Sequence, residues 1–492
     1  MRYLSDDDLR TLSPAESATL DTPIPTRMIS NGEFTPLPQT PDQRRVEREI
    51  GRLAEELAPG HGMNRRQFLA SSAGMSAAFV ALNSVFGPLF DASRAEAATP
   101  GVAEDRARQL AGQFIFDCQT HFVRDDYGQA AITGLAQFAK QFWNPGLQNE
   151  KSLDRMKFAN YVKEIYVDSD TKVALLSGSP VDDEFNLFLT NDQIAAARSS
   201  VNSIARSRRM LAHSIIQPMK DGWLDEVDRC IEVIKPDSWK GYTIGDPIFL
   251  TKKGSNWRLD DEQRVYPFYE KCVKSGIDTV CIHKGLLPAD YEKSWPEVWK
   301  NATVWDLGKA AQDWPQITFI IYHSALRPFI ELPDASLEQF EHTGRIDWVT
   351  DLAEIPQKFG VKNVHAELGT CFANTCVTHP RLAAALVGTL IKGLGQDKVV
   401  WGTDSVWYGS PQWQIEAMRR LEIPEDMQKK HGFKPLGAAD GPVKSAIFAG
   451  NAAKHYGLDA KTAREALDLD AISAMRAHWA GNPSNLRYGY VA

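Results

Sequence analysis

The chain has 492 residues, 43% of them hydrophobic, 24% charged and 10% aromatic, with a formal net charge of −8. This is ordinary globular composition with apolar mass for a large core, which excludes collagen, coiled-coil and disordered chains. The acidic balance (pI near 5.8) lacks the basic face of a nucleic-acid binder. Six cysteines in this length exclude a disulfide framework.

Residues 1–62 read as a polar, disordered extension, or as a stretch lying before a true start at Met63. Within it the pattern predicts one solvated helix over Asp42 to Leu57, with Val46, Ile50, Leu53 and Leu57 on one stripe. The only long uncharged run, Gln67 to Phe90, is rich in Ala, Ser and Gly and broken by Gly87-Pro88. It is too poor in Leu, Ile and Val for a stable membrane span. Asn64-Arg65-Arg66-Gln67-Phe68-Leu69 resembles a twin-arginine export signal, and Ala95-Glu96-Ala97 has the small-x-small form of a cleavage site. The expectation is a signal peptide over 63–97 and export to the periplasm or beyond by the twin-arginine machinery. One mature domain then runs from 98 to 492.

Beyond the leader, short apolar runs alternate with amphipathic stretches. Strands are predicted at Phe114–Asp117, Val173–Leu176, Leu211–Ile216, Gly241–Ile244, Thr279–Ile282, Ile317–Tyr322, Val364–Leu368 and Val399–Gly402. Helices are predicted at Trp223–Ile234, Pro267–Lys274, Leu382–Ile391 and Gln414–Leu421. Many of the strands are continuously apolar, as when both faces are buried. Eight of them interleaved with helices predict an α/β fold, the (β/α)8 TIM barrel, ahead of a doubly wound sheet. No Gly-rich phosphate loop, G-x-S-x-G elbow or H-E-x-x-H helix is present. Tyr291–Trp299 and Ile330–Trp348 are aromatic-rich and read as insertions shaping a pocket, or as stretches holding ordinary barrel helices.

Histidines close three of the strands: His121 the first, His283 the fifth and His323 the sixth, while Asp404 closes the eighth. In a barrel these ends share one rim, and histidines meeting a carboxylate are the ingredients of a divalent-metal site. This order resembles the amidohydrolase superfamily, in its aminocarboxymuconate-semialdehyde-decarboxylase-like, amidohydrolase-related branch. Supporting stretches are VCIHKG (280–285), WPQITFIIYHSAL (314–326), VVWGTD (399–404) and IFAGNAAKHYGL (447–458).

The resemblance implies a metal-dependent hydrolase with one divalent ion, zinc or manganese. His121 and His283 would be ligands, Asp404 a ligand or proton acceptor, and His323 the group that polarises or protonates the substrate. The family's first strand usually ends His-x-His or Glu-x-His; here it is Gln119-x-His121. Gln119 ligates, orients a water or has lost the contact. Period-two alternation is expected to put Asp117, Gln119 and His121 on one side. Lys240 precedes its predicted strand, which places it at the rim opposite the chemistry and argues against a second metal bridged by a carboxylated lysine.

Three weaker features remain. Cys371-x4-Cys376 with His379 lacks the second pair of a zinc site. His365 and Glu367 share a face and either meet substrate or pack. Trp407 and Tyr408 are pocket walls or rim core. The expected partner is a small, ring-bearing substrate, and no nucleic acid; a homo-oligomer is left open. The first function is hydrolysis of an amide, ester or lactone-like bond. Non-oxidative decarboxylation is the alternative, and a binding barrel that lost its metal through Gln119 is the third.

Overall fold

Eight strands pair side by side in chain order, all of them parallel. They are β1 Phe116–Thr120, β2 Val173–Leu176, β3 Met210–Ile215, β4 Ser238–Tyr242, β5 Thr279–His283, β6 Thr318–Tyr322, β7 Val364–Glu367 and β8 Val399–Val400. The structure is a computed structural model that describes residues 22–31, 37–127, 154–180, 187–245, 255–287, 291–294, 296–327, 333–459 and 466–478. The segment past β8 returns to β1. Cys118 N donates to Trp401 O (3.0 Å), Asp404 N to Gln119 O (2.9 Å) and His121 N to Ser405 O (2.6 Å). The sheet thereby closes into the expected (β/α)8 barrel, and Asp404 is held by main-chain bonds against the end of β1.

The lumen is packed, not hollow. Phe116, Cys118, Leu175, Leu211, Cys281, Ile320, Tyr322 and Val400 form its buried cluster, which Tyr456 joins from the C-terminal region. Helices cover the outside, among them Asn191–Ala205, Tyr266–Ser275 and Pro380–Leu394. Strands buried on both faces need apolar residues at nearly every position, hence the continuous runs.

One strand expectation, the place of Lys240, needs correction. In β1, Phe116 and Cys118 are the alternating lumen residues, and period-two alternation leaves Asp117 and Gln119 on the other side. Asp117 accepts from Thr403 N and Thr403 Oγ1 (3.0 and 2.5 Å), and the β1–β2 register shifts between Asp117 and Thr120. The shift brings Gln119 and His121 to the rim. β4 begins at Ser238, so Lys240 lies inside it, fully buried, with Nζ 3.4 Å from the Tyr322 ring centroid. A hydrophobicity pattern misses such a lysine because the aromatic faces, not an apolar neighbour run, accommodate it. Register pairs Lys240 with Cys281 and Tyr242 with His283. Lys240 therefore sits one layer beneath the rim rather than at the opposite end.

The N-terminal part is folded onto the barrel. It comprises α1 Pro41–Leu57, α2 Arg65–Leu69, α3 Ser72–Phe86, α4 Arg94–Ala98 and α5 Val102–Leu110. Thr40 and Gln43 cap α1 reciprocally. The expectation of a solvated helix fails: Val46, Ile50, Leu53 and Leu57 are buried in the main apolar cluster, together with Ile24 and Met28. In α3, Ala73, Ala77, Ala78, Phe79, Ala81 and Leu82 are buried. Its small residues permit close packing: a Cβ on Gly74 would overlap the Phe68 carbonyl. Phe90 bridges Leu421, Leu89 O accepts from Glu422 N, and Arg420 forms a buried pair with Glu96 (2.7 Å). The packing does not break at residue 97, where the domain boundary was expected. Residues 1–21 of the extension lie outside the described residues. No helix among the described residues is long and apolar enough to cross a membrane.

Of the two aromatic-rich stretches, the second holds the helix Pro333–Thr343, one of the two readings offered for it. Trp299 and Trp348 lie nearly parallel at 6.3 Å, with Tyr291 tilted to one and edge-on to the other. They form an aromatic cluster of their own. Ile330, the start of the second insertion, lies outside the described residues.

Candidate active site

The ends of β1, β5, β6 and β8 deliver Gln119, His121, His283, His323 and Asp404 to one buried cluster. Gln119 Nε2 donates to Asp404 Oδ1 (2.9 Å) and lies 3.4 Å from His121 Nε2 and 3.3 Å from His323 Nε2. His121 Nε2 is 3.1 Å from Asp404 Oδ1. The His283 ring lies 4.5 Å from that of His323. The histidine, glutamine and aspartate positions singled out in the sequence thus come together in space.

His323 is fixed by its backbone. His323, Ser324 and Ala325 all have positive φ (60°, 50° and 55°), a strained run for residues bearing a Cβ. Glu367 at the end of β7 holds this turn: its carboxyl accepts from His323 N (3.1 Å) and Gly369 N, and Ser324 Oγ donates to Glu367 O (2.7 Å). His323 Nδ1 meets Gly369 O at 3.0 Å, which assigns the N–H to Nδ1 and leaves the Nε2 lone pair facing the cluster. A Cβ on Gly402 or Gly369 would collide with the Glu367 carboxyl. Only glycine at these positions leaves room for it.

The electrostatics separate the acids. Burial would raise the Asp404 carboxyl, yet the hydrogen bond and charge of His121, with the Thr370 hydroxyl, hold it at about 2. Burial pushes Glu367 up to about 8 and Asp117 to about 7. Burial and the Lys240 charge keep the His283 imidazole neutral, well below the usual histidine range. Asp404 is the ionised acid of the site, and Glu367 is protonated at neutral pH.

Aromatic rings wall two of the imidazoles. Trp407 stacks on His121 (5.7 Å, 25°) and Tyr242 on His283 (4.3 Å, 20°). Tyr408 donates to Thr370 Oγ1 (3.1 Å), which in turn donates to Asp404 Oδ2 (2.5 Å). Asn31 Nδ2 reaches the same Asp404 oxygen at 3.0 Å. Sequence reasoning gave Glu367 an open role and missed Thr370 and Asn31 altogether; hydroxyl and amide side chains in loops carry no motif. His365 turns to His455 (3.0 Å) and takes no part. Cys371 and Cys376 are buried free thiols, and Cys371 Sγ contacts backbone carbonyls, so no zinc site forms there.

Donors bound to one cation at about 2.1 Å lie about 3.0 to 3.4 Å from each other. The Gln119, His121 and Asp404 separations above, 2.9 to 3.4 Å, span that range. Among the described residues no three His, Cys, Asp or Glu side chains alone form a cation site. Gln119 is needed to complete one. Its Oε1 accepts no hydrogen bond among the described residues, and half a turn of the amide brings that oxygen into the cluster as a neutral donor. The residues fit a single divalent ion.

The fold is a (β/α)8 barrel whose strand ends bring imidazoles and one ionised carboxylate to a common point. The chain matches the amidohydrolase family over residues 116–458, and it belongs to that family. None of the curated proteins matches it by sequence. Among solved structures, an uncharacterised TIM-barrel protein from Bordetella bronchiseptica is similar at 14% identity and TM-score 0.42, over 70% of this chain and 99% of that one. A 2,6-dihydroxybenzoate decarboxylase from Rhizobium is similar at 13% and 0.40, over 70% and 99%. A 5-carboxyvanillate decarboxylase from Novosphingobium aromaticivorans, complexed with manganese, is similar at 14% and 0.40, over 71% and 97%. These are likenesses of fold.

Proposed function

We propose that the protein is a metal-assisted hydrolase acting on an amide, ester or lactone-like bond of a small substrate. The observation that carries this reading is the convergence of His121, Asp404 and Gln119 at ligand spacing, with the His323 imidazole 3.3 Å from the Gln119 amide, around an ionised, buried carboxylate. His121, Asp404 and the Gln119 oxygen, with His283 beside them, would hold one divalent ion; mixed nitrogen and oxygen donors suit zinc or manganese. Bound there, the ion supplies Lewis acidity that polarises a carbonyl oxygen and makes water easier to deprotonate. Asp404 stays ionised and keeps His121 oriented through its Oδ1. His323 moves the proton: its Nε2 lone pair faces the cluster, takes a proton from the attacking water and returns it to the leaving group. The Trp407 and Tyr242 rings, stacked on His121 and His283, shield those imidazoles from water.

A second reading is favoured by those same two ring faces, which suit a planar acid: non-oxidative decarboxylation of a small carboxylic acid. Elemental analysis of the purified protein, followed by assays on lactone, ester, amide and aromatic-acid panels, separates the readings. About one metal per chain with acid release supports hydrolysis. Carbon dioxide release assigns the lyase, and a folded metal-free chain inert on every panel sinks the enzyme reading.

His323→Ala is expected to reduce turnover by about 10² to 10⁴, the usual contribution of a positioned acid–base group, with metal content kept near that of the parent. Loss of the metal together with turnover would instead make His323 a ligand. The Asn64–Leu69 pattern supports export by the twin-arginine route, which carries folded proteins. Arg65→Lys combined with Arg66→Lys should hold the protein in the cytoplasm, as fractionation reads it, and normal export of that variant removes the assignment.

A further inference from the structure

The segment before the apparent signal reaches the site. Residues 22–31 are almost wholly buried, with Ile24 at 0%, Met28 at 2% and Ile29 at 3% exposure. The Asn31 amide at its end donates to Asp404 Oδ2 (3.0 Å) and lies 3.4 Å from Thr370 Oγ1. With Thr370, Gln119 and His121, it completes a ring of groups around both Asp404 oxygens. The segment is tied down rather than draped: Thr26 Oγ1 donates to Glu47 of α1 (3.1 Å), and Gln43 of α1 donates to Thr378 O beyond β7 (3.4 Å). The apparent cleavage site is equally embedded. Ala97 is 1% exposed within α4, and Glu96 is paired with Arg420. A protease that cut after Ala97 would need this helix unwound and would free a chain segment that contributes fully buried side chains, Ile24, Ile50, Phe68 and Phe79 among them.

We infer that the segment beginning at residue 22 and running to 97 stays on the working enzyme, and that Asn31 is a positioning residue for the Asp404 carboxylate. An amide N–H on Oδ2 fixes the rotation of the carboxylate and leaves Oδ1 turned toward His121. The role of Asn31 rests on the metal reading above; retention of the segment does not.

Intact-mass measurement of the active protein purified from its own cells decides retention. A chain that still carries residues 22–97 supports the inference, and one that begins at Ala98 overturns it. The positioning role is read on the full chain by calorimetric titration with manganese. Asn31→Ala is expected to weaken manganese binding about tenfold, the lower end for loss of a group that orients a ligand, with an unchanged melting temperature. Equal affinities in the two proteins, or a loss that only follows a lowered melting temperature, overturn the role. A parent protein that takes up neither manganese nor zinc refutes the metal reading and with it the role of Asn31, while retention is still decided by the mass.

Discussion

Glu367→Ala is expected to cost about 3 to 5 kcal/mol of unfolding free energy and to abolish turnover with it. The variant leaves the amides of His323 and Gly369 without their acceptor, and each buried unsatisfied group costs about 1 to 3 kcal/mol. It also empties the space that Gly369 and Gly402 keep open. His323 then loses the support of its left-handed turn, which connects a packing residue to the chemistry. Glu367→Gln keeps the volume and one acceptor oxygen but forfeits the other, so its cost is expected near half that of alanine. The pH dependence distinguishes the carboxyl from the mere shape. Its folded-state value, about 8, lies above the ordinary glutamate value of about 4.3. The folded protein binds the extra proton between them, so stability declines as pH rises through that window. Asp117, raised to about 7, adds to the same slope. Urea denaturation of the metal-free protein from pH 5 to 9 is therefore expected to show a decline in the parent that is shallower, not absent, in Glu367→Gln. Equal slopes would mean that Glu367 does not titrate in this window.

The barrel was legible because parallel strands carry their signal in every residue, and their order is forced by the short connections of the fold. The convergence of His121, His283, His323 and Asp404 followed from the same rule, since strand ends in a barrel share a rim. The misreadings lie where tertiary contacts override a local pattern. Lys240 looked like a strand boundary, yet the Tyr322 and Tyr242 rings take a cation into the lumen. The helix at 41–57 looked solvated because its polar face is highly charged, while the stripe of Val46, Ile50 and Leu53 was already the buried face. Asn31 had no signal at all: an isolated amide far up the chain acquires meaning only from the oxygen it meets. Gln119 was visible as a departure from the family pattern, but its amide orientation and the protonated Glu367 nearby are properties of the folded site.

Arg419→Ala is expected to destabilise the protein by about 3 to 5 kcal/mol at pH 7, the usual result of removing one partner from a buried ionic cluster. Arg419 lies on the helix Gln412–Arg420 that follows the Asp404 segment, and its side chain is fully buried. It donates to Asp170 (2.6 Å), Glu416 (2.8 Å), Gln113 (2.9 Å) and the Leu110 carbonyl (2.9 Å). It therefore ties the end of α5, the β2 approach and the post-β8 helix together beneath the site. Burial pushes the Asp170 carboxyl up, but Arg419 and Arg476 outweigh it and hold the group well below the ordinary aspartate range. Glu416 is lowered in the same way by Arg419 and Arg420. Groups so depressed stabilise the fold fully above their unfolded values, about 3.9 and 4.3, and that contribution is lost as pH falls toward the folded values. Without Arg419, burial acts on both carboxyls with less opposition, their folded values rise, and protonation in acid relieves the variant more than the parent. The gap between the two proteins is thus expected to be widest near neutrality and to narrow below about pH 4. Urea denaturation at pH 7 and pH 3.5 measures it. A gap of equal size at both pH values would show that Arg419 acts through packing of its stem and guanidinium plane, and that the ion pairs it makes contribute no net stability.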